Sequence, residues 1–355
     1  MTVAALRSSF RHWRCAAAVA LLTQAMAPQA RSDVAVFPPV AILVGFGPAQ
    51  GNDQPARPDA ATLASNRMSP DMSYEQTARF LARHLGRFLP GQPSVTAQHI
   101  PGGAGLVAAR KLAQARPDGS LIALLSSNVI YASALAFPGA DLRADAFVWL
   151  GGVAPDAWAC IRTSASAGKK TIWAGSLGAG SRADVQARAM RDLVQQRLEI
   201  ASGYVSRFEL IRSLENGELD AACGWPMSDL QRRHGEWLST GKMEIFGSFS
   251  RSMKGLPPSE RPLDGAFALA LDALAAEAEL AWPLAAPPGT SEPVAAALRK
   301  ALEALAYDRA AVEDAQRAGI SLDPVDAAMI EAHVRRLHRL APDVREKLQR
   351  LYAPR

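Results

Sequence analysis

The sequence predicts an α/β protein, and three observations predict it. Apolar, strand-like segments run into loops of glycine and serine and then into amphipathic helices, as at 94–115 and 171–190. Units of this kind gather their loops at the carboxyl ends of a largely parallel sheet. A length of 355 residues leaves room for two ordinary domains. Hydrophobic content of 49% against 21% charged residues is that of a soluble globular chain with a substantial core.

Taken in order, the chain opens on a secretory pattern. Arg7, Arg11 and Arg14 form a basic start, and Ala16 to Leu22 is a short apolar run. Small residues follow to Ala27, which makes 1–27 a cleavable leader and predicts export to the periplasm. The apolar run is too short to span a bilayer. Those three arginines account for most of the net charge of +5, so the mature chain is near +2. With no basic run, nucleic acid is not expected as a partner. Export would leave Cys160 and Cys223, both in apolar strand-like segments. In an oxidising compartment they could pair; the reading leans to two buried thiols. Nothing resembles a metal pattern.

Ala41 to Gly47 reads as a buried strand ending in a Gly-Pro loop, followed by a polar stretch at 52–73 too long for an ordinary connection. Tyr74 to Phe88 has a helical apolar face and stops at Pro90-Gly91. Ser94 to Ile100 alternates as a strand does, and Pro101 to Gly105 turns into a helix at 106–115. A buried strand at Leu121 to Leu125 ends in Ser126-Ser127-Asn128. A second α/β run begins with strands at 147–150 and 157–161. It continues with the helix Arg207 to Glu215 and with strands at 221–225 and 243–249. Helices are expected at 266–280, 293–306, 308–318 and 327–340.

Thr171 to Met190 is the stretch with the most chemistry. A short strand leads through Gly175, Gly178 and Gly180 into a helix whose start, Ser181-Arg182-Ala183-Asp184, has the spacing of a capping box. Unpaired amides and the positive dipole end of such a helix make an anion cradle, and Ser176 and Ser181 add hydroxyls. Dinucleotide binding is not expected, because neither Gly103–Ala108 nor Gly178–Ala183 has an acid at the end of the next strand. Ala174-Gly175-Ser176-Leu177-Gly178 is one residue from a nucleophile elbow, so an exported serine hydrolase using Ser176 is the competing reading. Of the candidate bases His84, His99, His234, His333 and His338, none sits in a loop after a late strand, where that chemistry needs one.

An ordered set of short motifs resembles the periplasmic solute receptors of tripartite tricarboxylate transporters, the Bug proteins. The set is Ile42 to Pro48, His99 to Gly105 with Ala115 to Gly119, and Gly175 to Ser181. Gly203-Tyr204, Leu214 to Asp220, Cys223-Gly224-Trp225, Ala285 to Thr290 and Ala297 to Ala301 complete it. The resemblance implies a non-enzymatic, two-lobed periplasmic binding protein (type II, Venus-flytrap) with hinge strands. Lobe one would be 34–146 plus 250–355, and lobe two 147–249. It would bind a small organic anion, as a monomer and without a cofactor, for membrane transporter subunits or for a sensor protein.

Carried over, the ligand contacts of lobe one are Gly47, Pro48, Ala49 and Gln50, with Ser126, Ser127 and Asn128 beside them. Those of lobe two are Ser176, Gly178, Ala179, Gly180 and Ser181, with Tyr204 and Trp225 as walls. Amides and hydroxyls would hold the anion, so that no charged cluster is required. Two departures stand out. The family's Gly-Gly after the proline is Ala49-Gln50 here, and its Asp-x-x-Ala-Arg helix start matches both Asp53–Arg57 and Glu75–Arg79. The second leads into the better helix, which makes 52–73 an insertion.

Overall fold

The computed structural model describes residues 36–45, 70–137, 139–178, 180–193, 197–204, 207–250, 265–280 and 282–352. The leader at 1–27 and the Gly47–Gln50 loop lie outside them. So does most of the 52–73 insertion.

Two five-stranded sheets carry the chain. In the first, β1 (Val40–Val44) lies between β2 (Val95–His99) and β3 (Leu121–Leu124) and is parallel to both. A late strand, β10 (Pro283–Ala286), then runs antiparallel between β3 and β4 (Val148–Gly152). The second sheet repeats this plan. β6 (Thr171–Ser176) is parallel to both β7 (Arg197–Ser202) and β8 (Ala221–Pro226). β5 (Trp158–Thr163) follows antiparallel between β8 and β9 (Met243–Phe249). The strand at 148–152, counted above with the second run, is therefore hydrogen-bonded in the first sheet. The crossing between sheets falls at 153–157.

Strand alternation sorts the core into three layers. Ile42, Val44, Ile122 and Leu124 face α1 (Pro70–His84), α8 (Glu292–Tyr307) and α9 (Arg309–Ala318), where Phe80, Leu298 and Ala311 are buried. Leu43 and Ala123, one residue out of phase, face the middle layer together with Cys160 and Ile172 of the second sheet. Ala159, Ile161 and Ala222 face the third layer, with α5 (Arg207–Glu215) and α6 (Met227–Ser239). The period of two is what one buried face on each side of a strand requires.

Several helices fill the middle layer. They are α3 (Ser127–Ala134), α4 (Arg182–Leu193), α7 (Gly265–Ala276), α10 (Ala327–His338) and α11 (Pro342–Tyr352). The remaining helix, α2 (Leu106–Ala113), starts at the glycine turn 102–105. No helix among the described residues is long and apolar enough to cross a membrane.

Cys160 and Cys223, expected as free thiols, are joined in a disulfide between the neighbouring strands β5 and β8. Helix α1 begins at Pro70, ahead of the expected Tyr74, and Glu75 and Arg79 pair along it at 2.5 Å.

The outer layer carries an ion cluster with a pH signature. Asp314 on α9 accepts from Arg83 at 2.8 Å and from His84 at 2.7 Å. Arg87 donates to the other ring nitrogen of His84, which places the ring proton on the side of Asp314. The His84 and Arg83 hydrogen bonds hold the Asp314 carboxyl at about 2, below its usual 3.8. A depressed folded-state value stabilises the fold above the unfolded value and is lost as pH falls through the folded one. Discounted for its contact with water, the contribution is about 1 kcal/mol. Asp314→Asn should lower the melting temperature by roughly 2 °C at pH 7. The gap to the parent should narrow from about pH 5 and close near pH 1; a gap undiminished at pH 2 would refute this assignment.

Candidate functional site

Of the segments expected to hold a ligand, Gly47–Gln50 lies outside the described residues, while 126–128 and 176–181 each lead into a helix N-terminus, α3 and α4. At α4 the helix start is largely satisfied from within. Asp184 donates its amide to Ser181 Oγ at 3.2 Å, which is one half of a capping box. Its carboxylate does not return to Ser181. It accepts from the Gly180 amide at 3.1 Å and pairs with Arg188, one turn on, at 2.9 Å. Both side chains are buried, so the ionic partner of Asp184 lies inside the protein. Gly178 and Gly180 have φ of 108° and 74°, conformations that a glycine loop supplies without strain.

Ser176 is wholly buried at the end of β6. Its hydroxyl faces Gly178 and Asp184, with the Gly178 amide donating to it at 3.1 Å. No histidine is among these partners, and a nucleophile elbow requires an exposed Oγ beside a base. The hydrolase reading therefore loses its nucleophile. Ala179 lies outside the described residues. Tyr204 is half-buried beyond β7, and Trp225 is fully enclosed. The Trp225 indole packs edge-on against Trp237 and His234 and lies under the Arg207 guanidinium at 4.8 Å, a core position.

On the first-sheet side, Gly45 at the end of β1 meets the glycine turn closely. A Cβ there would lie 2.5 Å from Gly105 Cα. Ser126 and Ser127 are buried at the start of α3, and Asn128 is half-buried. The hydroxyl of Ser127 donates to Glu277 Oε1 at 2.5 Å. It also accepts from Arg182 Nη2 at 2.6 Å. Arg182 is the first residue of α4, so the two helix starts are brought together by side chains.

Arg182 and Glu277 were not anticipated. Arg182 Nη2 and Nε both donate to Glu277 Oε1, at 2.5 and 3.2 Å. Its guanidinium stacks on Trp158 at 3.6 Å, close enough for a cation–π attraction. Glu277 begins the short 3-10 turn after α7 and is 3% exposed. Tyr352, at the end of α11, stacks on Tyr131 of α3 nearby. Burial pushes the Tyr352 phenol well up, and the negative Glu277 adds to it. Asp156, between the sheets, is also raised by burial while Ser228 holds it by two hydrogen bonds. An ion pair that the expected set of amides and hydroxyls did not include thus lies between the two helix starts. The sequence does not single it out, because the run 265–280 holds three carboxylates, Asp272, Glu277 and Glu279.

No known family profile matches the chain, and no curated protein matches it. Solved structures do. The chain is similar to a TctC solute-binding protein from Polaromonas, with 16% identity and a TM-score of 0.61, over 88% of this chain and 98% of that one. It is similar to a Rhodopseudomonas palustris protein solved with adipate, with 14% identity and a TM-score of 0.56, over 90% and 99% of the two chains. It is similar to MatC from the same organism with bound malate, with 15% identity and a TM-score of 0.53, over 88% and 99%. Likeness at such identities establishes the architecture: the chain has the two-lobed α/β fold of the periplasmic solute-binding proteins. That is the fold its motifs resemble.

Proposed function

We propose that this protein is a periplasmic receptor that captures a small organic anion between its two lobes and hands it to a tripartite tricarboxylate-type transporter. The first sheet would form lobe one and the second lobe two, with the chain crossing at 153–157 and again between β9 and β10. The observation that carries the reading is the meeting of two helix starts, one from each half, at Ser127 and Arg182. Helix N-termini attract carboxylates, and Arg182 adds a guanidinium between them. The fold supports it: two of the similar structures hold dicarboxylates, adipate in one and malate in the other. Lobe closure on a ligand is the motion by which such a receptor would signal occupancy to a membrane partner. The buried Ser176, with no base among its partners, does not fit turnover.

The test is a thermal-shift and calorimetric screen of the mature protein against small mono-, di- and tricarboxylates. A ligand at a hundredfold its Kd should add about 2.7 kcal/mol of stability by mass action. Ser127→Ala should weaken that ligand about tenfold, the worth of one charge-assisted hydrogen bond. A folded protein that responds to no carboxylate would overturn the reading.

A further inference from the structure

Arg182, Ser127 and Glu277 form a closed triangle of hydrogen bonds. The three distances are 2.6, 2.5 and 2.5 Å, all among atoms that meet at Glu277 Oε1 and Ser127 Oγ. Ser127 and Glu277 are almost wholly buried, and Arg182 keeps 17% of its side chain exposed. Trp158 forms the floor, 6% exposed, with its indole Nε1 buried and unbonded among the described residues. A carboxylate is therefore already accommodated at the place where the two loops meet, and it belongs to the chain itself.

The pairing is incomplete as carboxylate recognition. Both guanidinium contacts to Glu277 fall on a single oxygen. Arg binds carboxylates best as a fork, with two parallel N–H groups on two oxygens. The other nearby charges do not replace this one. Asp184 is neutralised by Arg188, and Asp156 is held by Ser228. Arg182 is thus the cation at this junction that a second carboxylate could claim, and Glu277 is what it would have to displace.

We infer that Arg182 and Ser127 are the anion-recognition pair of this protein and that Glu277 is a tethered competitor for it, so that the ligand is an acid whose carboxylate exchanges with that of Glu277. This rests on the receptor reading and adds a mechanism to it. While Glu277 holds Arg182, the two helix starts are latched, and only the unlatched fraction binds. Apparent affinity is then the intrinsic affinity reduced by that fraction. The burial of the pair makes the exchange selective: an incoming group that lacks a negative charge would leave both Arg182 and Glu277 uncompensated.

The experiment compares wild type, Glu277→Gln, Glu277→Asp and Arg182→Gln by calorimetric titration with succinate, malate and adipate. Folding of each variant is first verified by circular dichroism. Glu277→Gln keeps the shape and an acceptor oxygen but removes the charge, so it should bind about tenfold more tightly than wild type. Glu277→Asp keeps the charge but withdraws it by one methylene, and should fall between the two. Should Glu277→Gln fail to fold, the Glu277→Asp comparison decides alone. Arg182→Gln should lose binding by a hundredfold or more. Small-angle scattering of Glu277→Gln without acid gives a ligand-independent reading: its radius of gyration should exceed that of wild type.

Weaker or unchanged binding by Glu277→Gln would overturn the competitor role. Binding that survives in Arg182→Gln would overturn this anion pair while leaving the receptor reading intact. No binding by any of the folded proteins, with an enlarged Glu277→Gln, would remove the receptor reading and keep the latch.

Discussion

Replacing Gly45 by alanine should collapse both stability and binding. Its added Cβ would sit 2.5 Å from the Gly105 Cα, a backbone atom, where no side chain can swing aside. Neither partner has room to retreat. Gly45 follows directly on β1, which is hydrogen-bonded on both edges, and the amide of Ile100 is tied to the Val44 carbonyl at 2.8 Å. Gly105 is itself committed to φ of 96° at the start of α2. Overpacking against side chains costs about 1–3 kcal/mol, and a clash with backbone at the end of a doubly paired strand belongs at about 3 kcal/mol or above. That corresponds to a melting temperature lower by roughly 6–12 °C in a domain of this class. Gly168→Ala is the control, since nothing lies within 4 Å of its added Cβ. A Gly45→Ala protein as stable as Gly168→Ala would show that β1 and the glycine turn do not meet as described.

The disulfide should matter about as much. Cys160 and Cys223 are 63 residues apart in sequence, and closing a loop of that size removes chain entropy worth about 4 kcal/mol from the unfolded state. The double variant Cys160→Ala/Cys223→Ala should therefore unfold at much lower denaturant. Its dependence on denaturant should be steeper, because the released chain exposes more surface. Both sulfurs are buried, so a reductant should act only after unfolding. An unchanged midpoint would mean that the two strands are held fully by their neighbours.

Much of the fold was legible because its signals are local. Alternation, glycine turns and helical faces located β2, β6, β9, α5 and α8 within a few residues. Helix α11, whose Val344, Leu348 and Leu351 share a buried face, and β7, which alternates as Arg-Leu-Glu-Ile, escaped despite carrying such signals, whereas other missed elements have none. Helix α3 is buried nearly all round, so Ser127 to Ala134 shows no polar stripe and its first serines read as a strand end. β10 is four apolar residues opened by a proline, and its strand identity comes only from β3 and β4 on either side. Helix α6 contains Gly235 and a kink at His234, where φ is −128°. The site divides in the same way. The motif at 175–184 announced a helix start with its cap, which is local chemistry. The Arg182–Glu277 pair joins residues 95 apart in the sequence, and no short-range pattern announces a contact of that span.

The two sheets share a strand plan but not a history of assembly. Every strand of the second sheet lies between residues 158 and 249, an unbroken stretch of chain. The first sheet cannot close until β10, at 283–286, has threaded between β3 and β4. A chain growing from its N-terminus would thus finish its second half first. Long-range closure is the slow, entropically costly step in folding. Until β10 arrives, β3 and β4 are left with unpaired edges of the kind that invite association between chains. The sheet that begins the sequence is the one that waits for its end.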